Sequence, residues 1–336
     1  MDSPVDTATK VAFLSQPGAY SGLTQRVVVV ETHMSWVFLT DDEVYKLHKP
    51  VRMDYLDFST LARRRADCEA ELRLNRALAP DVYLGLVALT QEPDGSLALA
   101  GSGEVVEWLV KMRRLPRERM LDACIARGAV TPAAVDRVTK VLVAFYRRTP
   151  ACPLSGEAYR RRWRQDVLSR HQGLLAADRG LPVAQLESLR DGLLGFINAQ
   201  ALLLTERAAR IIEAHGDLRP EHVCLSEPPV FIDRLEFSRD FRLQDPAEEL
   251  AFLALECEHL GAAWIGDRLF STYQQLTDDG VSEVLQAFYK AARAQLRAWL
   301  SASHLNDHPP RDSISHWLAK TQAYLQLAQH YVAQLG

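Results

Sequence analysis

The sequence predicts an α+β protein in two parts: a small antiparallel β-sheet lobe with one helix over residues 1–110, then a larger, mainly helical lobe over 111–336. Three observations predict it. The first hundred residues carry short β-branched and aromatic runs separated by turn formers, which is strand patterning. After Arg113 apolar residues recur at the spacing of long amphipathic helices. That helical pattern is interrupted from Ile211 to Phe237, where turn formers alternate with short apolar runs, and chemistry is sought there.

Composition narrows the function classes. A chain of 336 residues with 48% hydrophobic content can bury a sizeable core, and a division between about two domains is expected. The balance of 39 Lys+Arg against 43 Asp+Glu gives a formal net charge of −4, so no broad cationic surface exists for nucleic-acid phosphates or anionic lipid. Cys68, Cys124, Cys152, Cys224 and Cys257 form neither a CxxC pair nor a disulfide framework, which fits a reducing cytoplasm. The first residues lack a charged region followed by an apolar run, and no stretch reaches about 18 uninterrupted apolar residues. A soluble cytoplasmic protein with neither membrane nor nucleic-acid partner is expected.

In chain order, strands are expected at Arg26–Val30, Trp36–Leu39 and Glu43–Leu47, because β-branched and aromatic residues cluster there between polar turns. From Ser59 to Leu78 the period becomes helical, with Ser59 or Asp57 able to cap the start and Pro80 ending the run. Val82–Leu89 and Ser96–Ala100 read as a hairpin, since Pro93-Asp94-Gly95 supplies both a preset and a positive backbone dihedral. Val105–Val110 completes the set. Helices follow at Pro132–Arg148, Gly156–Gln172, Val183–Arg207, Pro246–Leu260, Ser282–Leu300 and Ile314–Leu335.

The interruption reads His215-Gly216-Asp217-Leu218-Arg219-Pro220-Glu221-His222-Val223-Cys224-Leu225, followed by Val230-Phe231-Ile232-Asp233. It resembles the catalytic loop and metal-binding strand of protein-kinase-like phosphotransferases, in the aminoglycoside-phosphotransferase branch with its H-G-D-x-x-x-x-N and I-D signatures. Phosphoryl transfer asks the protein for one carboxylate near the acceptor hydroxyl and another holding Mg²⁺ on the phosphates. Asp217 and Asp233 suit those parts. A glycine before an aspartate permits a tight turn, and the two apolar runs that follow would pair as a hairpin returning Asp233 toward Asp217.

A nucleotide site also needs a cation on the phosphates. Val44 and Lys46 share one strand face, the arrangement of the kinase V-A-I-K strand. Lys49 is the rival, but it precedes Pro50, where the strand should end. Glu71 shares a helix stripe with Leu74 and Leu78 and is preferred to Glu69 as the partner of Lys46. Thr32 and Ser35, in a glycine-free turn, are candidates for covering the phosphates. Backbone groups of Glu107, Trp108 and Leu109, in a hinge at Val106–Met112, are candidates for reading an adenine edge.

Together with Val110-Lys111-Met112-Arg113-Arg114-Leu115, these segments resemble the kinase-like half of bacterial aminoglycoside phosphotransferase-like and bifunctional phosphotransferase/ATP-binding proteins over most of the chain. The resemblance implies a bilobal protein-kinase-like fold, ATP and Mg²⁺ as cofactors, and a small-molecule or protein acceptor. No G-x-x-x-x-G-K-[ST] string occurs, so the chain reads as the stand-alone kinase-like form. One departure matters: His222 stands where the family carries an Asn ligand to Mg²⁺. Imidazole suits transition metals better than Mg²⁺. The departure leaves three outcomes: one Mg²⁺ on Asp233, a preference for Mn²⁺ at His222, or nucleotide binding without efficient transfer. An ATP-dependent phosphotransferase is expected first, then a nucleotide-binding regulatory protein, then a kinase-fold enzyme transferring AMP.

Overall fold

The computed structural model describes residues 5–20, 22, 24–53, 56–177, 180–305 and 311–336. The chain forms two compact units, one of residues 1–120 with 222–226 and 230–241, the other of 121–221, 227–229 and 242–336. Both combine into the α+β class expected, and no helix among the described residues is long and apolar enough to cross a membrane.

The first unit opens with α1 (Thr7–Leu14), capped by the Asp6 side chain, which accepts from the Thr9 amide at 2.6 Å. Strands β1 (Val28–Glu31), β2 (Ser35–Leu39) and β3 (Glu43–His48) follow, then the two-residue pair β4 (Arg52–Met53) and β5 (Leu56–Asp57). Helix α2 (Leu61–Asn75) starts one residue later than the caps suggested: Thr60 is the N-cap and accepts from Arg63 N, while Asp57 binds Ser59 just outside the helix. Next come β6 (Tyr83–Gln91), β7 (Leu97–Leu99) and β8 (Glu104–Arg113). Gly95, with φ +85°, supplies the left-handed residue of the β6–β7 turn.

All pairings in the resulting six-stranded sheet are antiparallel, in the order β1-β2-β3-β8-β6-β7. Side-chain alternation divides its two faces. Leu109 of β8 packs with Phe38, Leu47, Leu89, Leu14 and Tyr20, whereas its neighbour Val110 packs with Cys68, Val82 and Tyr83 under α2. Each fully buried Leu among these stabilises the unit by roughly 2 kcal/mol. Tyr45 and Leu47 enter the first cluster, so Val44, Lys46 and His48 take the opposite face, toward α2.

The second unit contains α3 (Leu121–Ala126), α4 (Pro132–Arg148), α5 (Gly156–Ala176), α6 (Val183–Ala199) and α7 (Ala201–Ala208). The single helix expected over Val183–Arg207 is broken at Gln200, whose φ −100° and ψ 36° leave the helical region. Four two-residue strands follow: β9 (Ile212–Glu213), β10 (Val223–Cys224), β11 (Val230–Phe231) and, after the turn α8 (Arg239–Arg242), β12 (Leu243–Gln244). Strands β10 and β11 form a hairpin within the first unit, and β12 pairs with β9 within the second. The bundle is completed by α9 (Pro246–His259), α10 (Trp264–Leu276), α11 (Glu283–Ser303) and α12 (Arg311–Val332). Helix α9 is buried from Pro246 to Cys257, as a helix packed on all sides must be.

Candidate active site

Strand β3 and helix α2 meet at a buried ion pair. Lys46 Nζ lies 3.0 Å from Glu71 Oε1, and the Glu71 side chain is fully buried. The other Glu71 oxygen lies 3.1 Å from His48 Nε2, two residues along the same strand face. Glu69 instead pairs with Arg65 at 2.9 Å on the exposed side of the helix, and Lys49 pairs with Glu31 at 2.5 Å.

The β10–β11 hairpin brings a second carboxylate to the same ammonium: Asp233 Oδ1 lies 3.3 Å from Lys46 Nζ. Asp233 adopts φ +60°, a left-handed conformation that aspartate tolerates better than most residues. Its amide donates to the Tyr83 hydroxyl at 3.0 Å, and the next amide, of Arg234, donates to Asn75 Oδ1 at 2.7 Å. Asn75, fully buried, also donates to the carbonyls of Glu71 and Arg234 at 3.0 and 3.2 Å. One side chain therefore ties the last turn of α2 to the loop carrying Asp233. His222 begins the hairpin, accepts from Ile232 N at 2.9 Å through its carbonyl, and places Nε2 3.4 Å from Asp233 Oδ2.

Carboxyl groups outnumber the cation they surround here. Glu236 lies 3.8 Å from Lys46, and Asp67, one turn before Glu71, lies 3.2 Å from His48 Nδ1. Burial opposes the Lys46 charge, but Glu236, Glu71 and Asp233 outweigh it and hold the ammonium protonated well above the usual lysine range. Burial likewise raises Glu71, yet Lys46 and His48 overcome this and keep its carboxylate below the ordinary range. Glu236 and Asp67 go the other way. Burial, added to neighbouring carboxylates, pushes Glu236 up to about 8 and Asp67 up to about 7, against the partial relief Lys46 gives. His48, Glu71 and Glu236 present ligand atoms within 4.8 Å of one another, but a metal among them would displace the Lys46 ammonium. Asp233, with His222 Nε2 3.4 Å away, carries carboxylate oxygens that could hold a metal without displacing Lys46 from Glu71.

A pH effect follows from Asp67. An aspartate that ionises near 3.8 when unfolded and near 7 when folded makes the folded unit bind more protons between those values, so stability falls as pH rises through that window. Asp67→Asn removes the ionisation. The variant is expected to gain on the order of 2 kcal/mol over wild type at pH 8 relative to pH 5, read by chemical denaturation at both pH values. A pH-independent difference would contradict the raised carboxyl.

Asp217 belongs to the second unit. Gly216 has φ +93°, the left-handed geometry for which a glycine before the aspartate was expected. Its amide donates to Glu249 Oε1 at 2.9 Å and its carbonyl accepts from Gln244 Nε2 at 3.2 Å, while Glu249 also accepts from Tyr146 at 2.8 Å. The loop is thus held by α9. Asp245 caps that helix, accepting from Ala247 N at 3.0 Å, and is gripped by Arg207 at 2.5 and 2.6 Å and by the Tyr289 hydroxyl at 2.7 Å. Arg219, half-buried, places Nε 3.0 Å from Asp217 Oδ2 and also binds Glu221.

Two expected assignments are corrected by the backbone. Thr32 and Ser35 close the β1–β2 turn on themselves: Thr32 N donates to Ser35 O at 2.8 Å, and Ser35 N donates to Thr32 Oγ1 at 2.9 Å. These amides and the Thr32 hydroxyl are committed to the turn rather than to a phosphate, and Ser35 is buried. The hinge expected at Val106–Met112 is strand. Glu107, Trp108 and Leu109 lie in register with Leu89, Ala88 and Val87, and the Trp108 amide donates to Glu107 Oε1 at 3.2 Å while its carbonyl accepts from Cys68 Sγ at 3.9 Å, so these groups are engaged within the unit. The Glu107 side chain is instead a buried anchor, bound by Arg64 at 2.8 and 2.9 Å and by Lys10 at 3.0 Å.

No protein-family model matches the chain. Uncharacterized proteins of Mycobacterium tuberculosis (strain ATCC 25618 / H37Rv) and Mycobacterium bovis (strain ATCC BAA-935 / AF2122/97) are each 30% identical over 319 residues, 92% of this chain. The chain spans 61% of the length of these curated relatives. Among solved structures, a choline kinase of Streptococcus pneumoniae has TM-score 0.59 and 16% identity, covering 93% of this chain and 95% of its own. A GDP complex of an aminoglycoside 2'-phosphotransferase has TM-score 0.55 and 15% identity, covering 97% and 98%. A choline/ethanolamine kinase family protein of Mesorhizobium loti has TM-score 0.54 and 16% identity, covering 97% and 99%. At these identities the likeness establishes the fold, and the chain has the protein-kinase-like fold.

Proposed function

We propose that the protein is an ATP-dependent phosphotransferase acting on a hydroxyl-bearing acceptor. The observation that carries this reading is the Lys46 ammonium, 3.0 Å from Glu71 and 3.3 Å from Asp233, which joins a phosphate-binding cation to a metal-binding carboxylate. The left-handed backbone of Asp233 supports it, because an uncommon conformation held by Tyr83 and the Asn75 bridge is the kind retained at functional sites. Oxygen donors on Asp233 and Glu236, in a neighbourhood with more carboxylates than cations, suit Mg²⁺. When bound, Mg²⁺ neutralises charge on the transferring phosphoryl group.

In this reading Glu71 orients Lys46, Lys46 steadies the α- and β-phosphates, and Asp217 orients the acceptor hydroxyl. The new bond joins the acceptor oxygen to the γ-phosphorus as the bond from that phosphorus to the β-bridging oxygen breaks. Asp217 takes the hydroxyl proton and ADP leaves. A protein that binds nucleotide without transfer is a second reading, favoured by the Arg219 guanidinium on Asp217 and by His222 beside Asp233.

Thermal shift with ATP and Mg²⁺ or Mn²⁺, followed by mass spectrometry of a metabolite pool, separates the two. Metal-dependent stabilisation with a phosphorylated product supports transfer; stabilisation without product supports the second reading; no stabilisation refutes both. His222→Asn is expected to shift the ratio of Mn²⁺- to Mg²⁺-supported nucleotide affinity toward Mg²⁺ by on the order of tenfold. An unchanged ratio would remove His222 from the metal's surroundings.

A further inference from the structure

A ladder of side chains runs behind Lys46, wholly within the first unit. Lys46 and His48, two apart on β3, share a strand face at a spacing of about 6.6 Å, and Asp67 and Glu71, one turn apart on α2, are spaced by about 6 Å. The near match lets the strand pair and the helix pair meet rung by rung. Lys46 Nζ lies 3.0 Å from Glu71 Oε1, His48 Nε2 lies 3.1 Å from Glu71 Oε2, and His48 Nδ1 lies 3.2 Å from Asp67 Oδ2. His48 ends β3 opposite Ser35, and Phe58 meets its ring edge-on with centroids 4.8 Å apart, so the buried imidazole is held between the two carboxyls.

Each gap between the imidazole and a carboxyl needs a proton if it is to be a hydrogen bond rather than a meeting of lone pairs. The inner gap, His48 Nε2 to Glu71 Oε2, has hydrogen-bond geometry. In the outer gap, neither His48 Nδ1 nor Asp67 Oδ2 has a partner but the other among the described residues. Nor does a lysine or arginine among them lie within ion-pair distance of Asp67: Arg52 and Arg63, which line the same cavity, are engaged by Asp57. Burial, then the Glu71 charge, push Asp67 up to about 7 against partial relief from Lys46, so this carboxyl can itself carry the outer proton. A proton presented by Asp67 leaves Nδ1 as the acceptor and fixes the ring's own proton on Nε2, where it faces Glu71.

We propose that His48, itself oriented by Asp67, is a positioning residue of the phosphotransferase site: with one proton in each gap, it fixes the plane of the Glu71 carboxylate so that the other Glu71 oxygen holds Lys46 in place for the nucleotide phosphates. This rests on the assignment of Lys46 to those phosphates. Glu71 is then held at both oxygens, by Lys46 on one side and His48 on the other, and loses the freedom to turn away from the ammonium.

Heteronuclear NMR of the full chain with isotope-labelled histidine reads the ring directly, with His48 identified by the signal missing from His48→Gln. A proton on Nε2 is expected, and a bare Nε2 overturns the proposal. Calorimetric titration with ADP and Mg²⁺ reads the consequence. His48→Leu, or His48→Asn if that change does not fold, takes the second contact from Glu71 and should weaken ADP binding by at least about tenfold. His48→Gln, whose amide still reaches toward Glu71 as a donor, and Asp67→Asn, whose amide can donate to Nδ1, should stay within about threefold of wild type. A merely structural histidine would lower the denaturation midpoint in these variants and leave ADP affinity where it was. Unchanged affinity in His48→Leu or His48→Asn, or equal weakening in His48→Gln, overturns the proposal. An Nε2 proton in a wild type that binds no ADP would uphold the hydrogen-bonded ladder and fault the nucleotide reading instead.

Discussion

Lys46→Met is expected to abolish stabilisation by ATP and metal and to lower transfer at least about a thousandfold, because the substitution removes the one cation shared by Glu71, Asp233 and Glu236. A second effect accompanies it. Glu71 is fully buried, and without Lys46 its remaining side-chain partner among the described residues is His48, so the variant should be less stable by about 3 kcal/mol near neutral pH. That loss has a sign with pH. In the wild type Lys46 holds the Glu71 carboxyl below its ordinary value, so the stability it contributes is present above the unfolded pKa and lost on acidification. In the variant the uncompensated carboxyl takes up a proton more readily, so the gap from wild type should narrow from pH 8 to pH 5. Denaturant unfolding at both pH values checks the stability effect, and scanning fluorimetry with and without nucleotide checks the binding effect. A Lys46→Met protein still stabilised by ATP and Mg²⁺ would remove Lys46 from the phosphate site.

The second large effect separates the two aspartates. Asp233→Asn keeps the side chain's size but removes the charge facing Lys46, so metal-dependent nucleotide binding should be lost. Asp217→Asn should leave nucleotide affinity within about threefold of wild type while lowering transfer by about 10²- to 10⁴-fold, the range that a positioned general base supplies. Equilibrium binding and single-turnover transfer, measured on both variants, distinguish the roles. The opposite pattern would exchange them.

Much of this site was legible because it obeys local periodicity. Strand alternation placed Lys46 away from the core that Tyr45 and Leu47 enter, and the helical stripe with Leu74 separated buried Glu71 from solvent-paired Glu69. The same rules would have found His48, two residues beyond Lys46, and Asp67, four before Glu71; both were passed over because a histidine and a surface-type acid carry no motif of their own. Asn75 and Tyr83 could not be found that way, since each acts through a contact with a segment some 150 residues distant in the chain.

The segment expected as a hinge is strand for a definite reason. The apolar run stops at Val110, but β8 continues through Lys111, Met112 and Arg113 because the ladder with β3 and β6 persists. Thr32 and Ser35 offered hydroxyls in the right turn, yet a glycine-free turn closes with its own side chain rather than leaving its amides to a ligand. Helix α1 has no counterpart among the expected elements; it buries Lys10, a residue type usually exposed, against Glu107.

In the proposed function Lys46 and Asp233 together hold a nucleoside triphosphate through a divalent metal. Calorimetric titration of ATP into the full chain, in Mg²⁺ and again in chelator, tests it most directly. Saturable binding that requires the metal and disappears in both Lys46→Met and Asp233→Asn is expected. Binding that persists in chelator and survives both substitutions, or no binding in either condition, would contradict it.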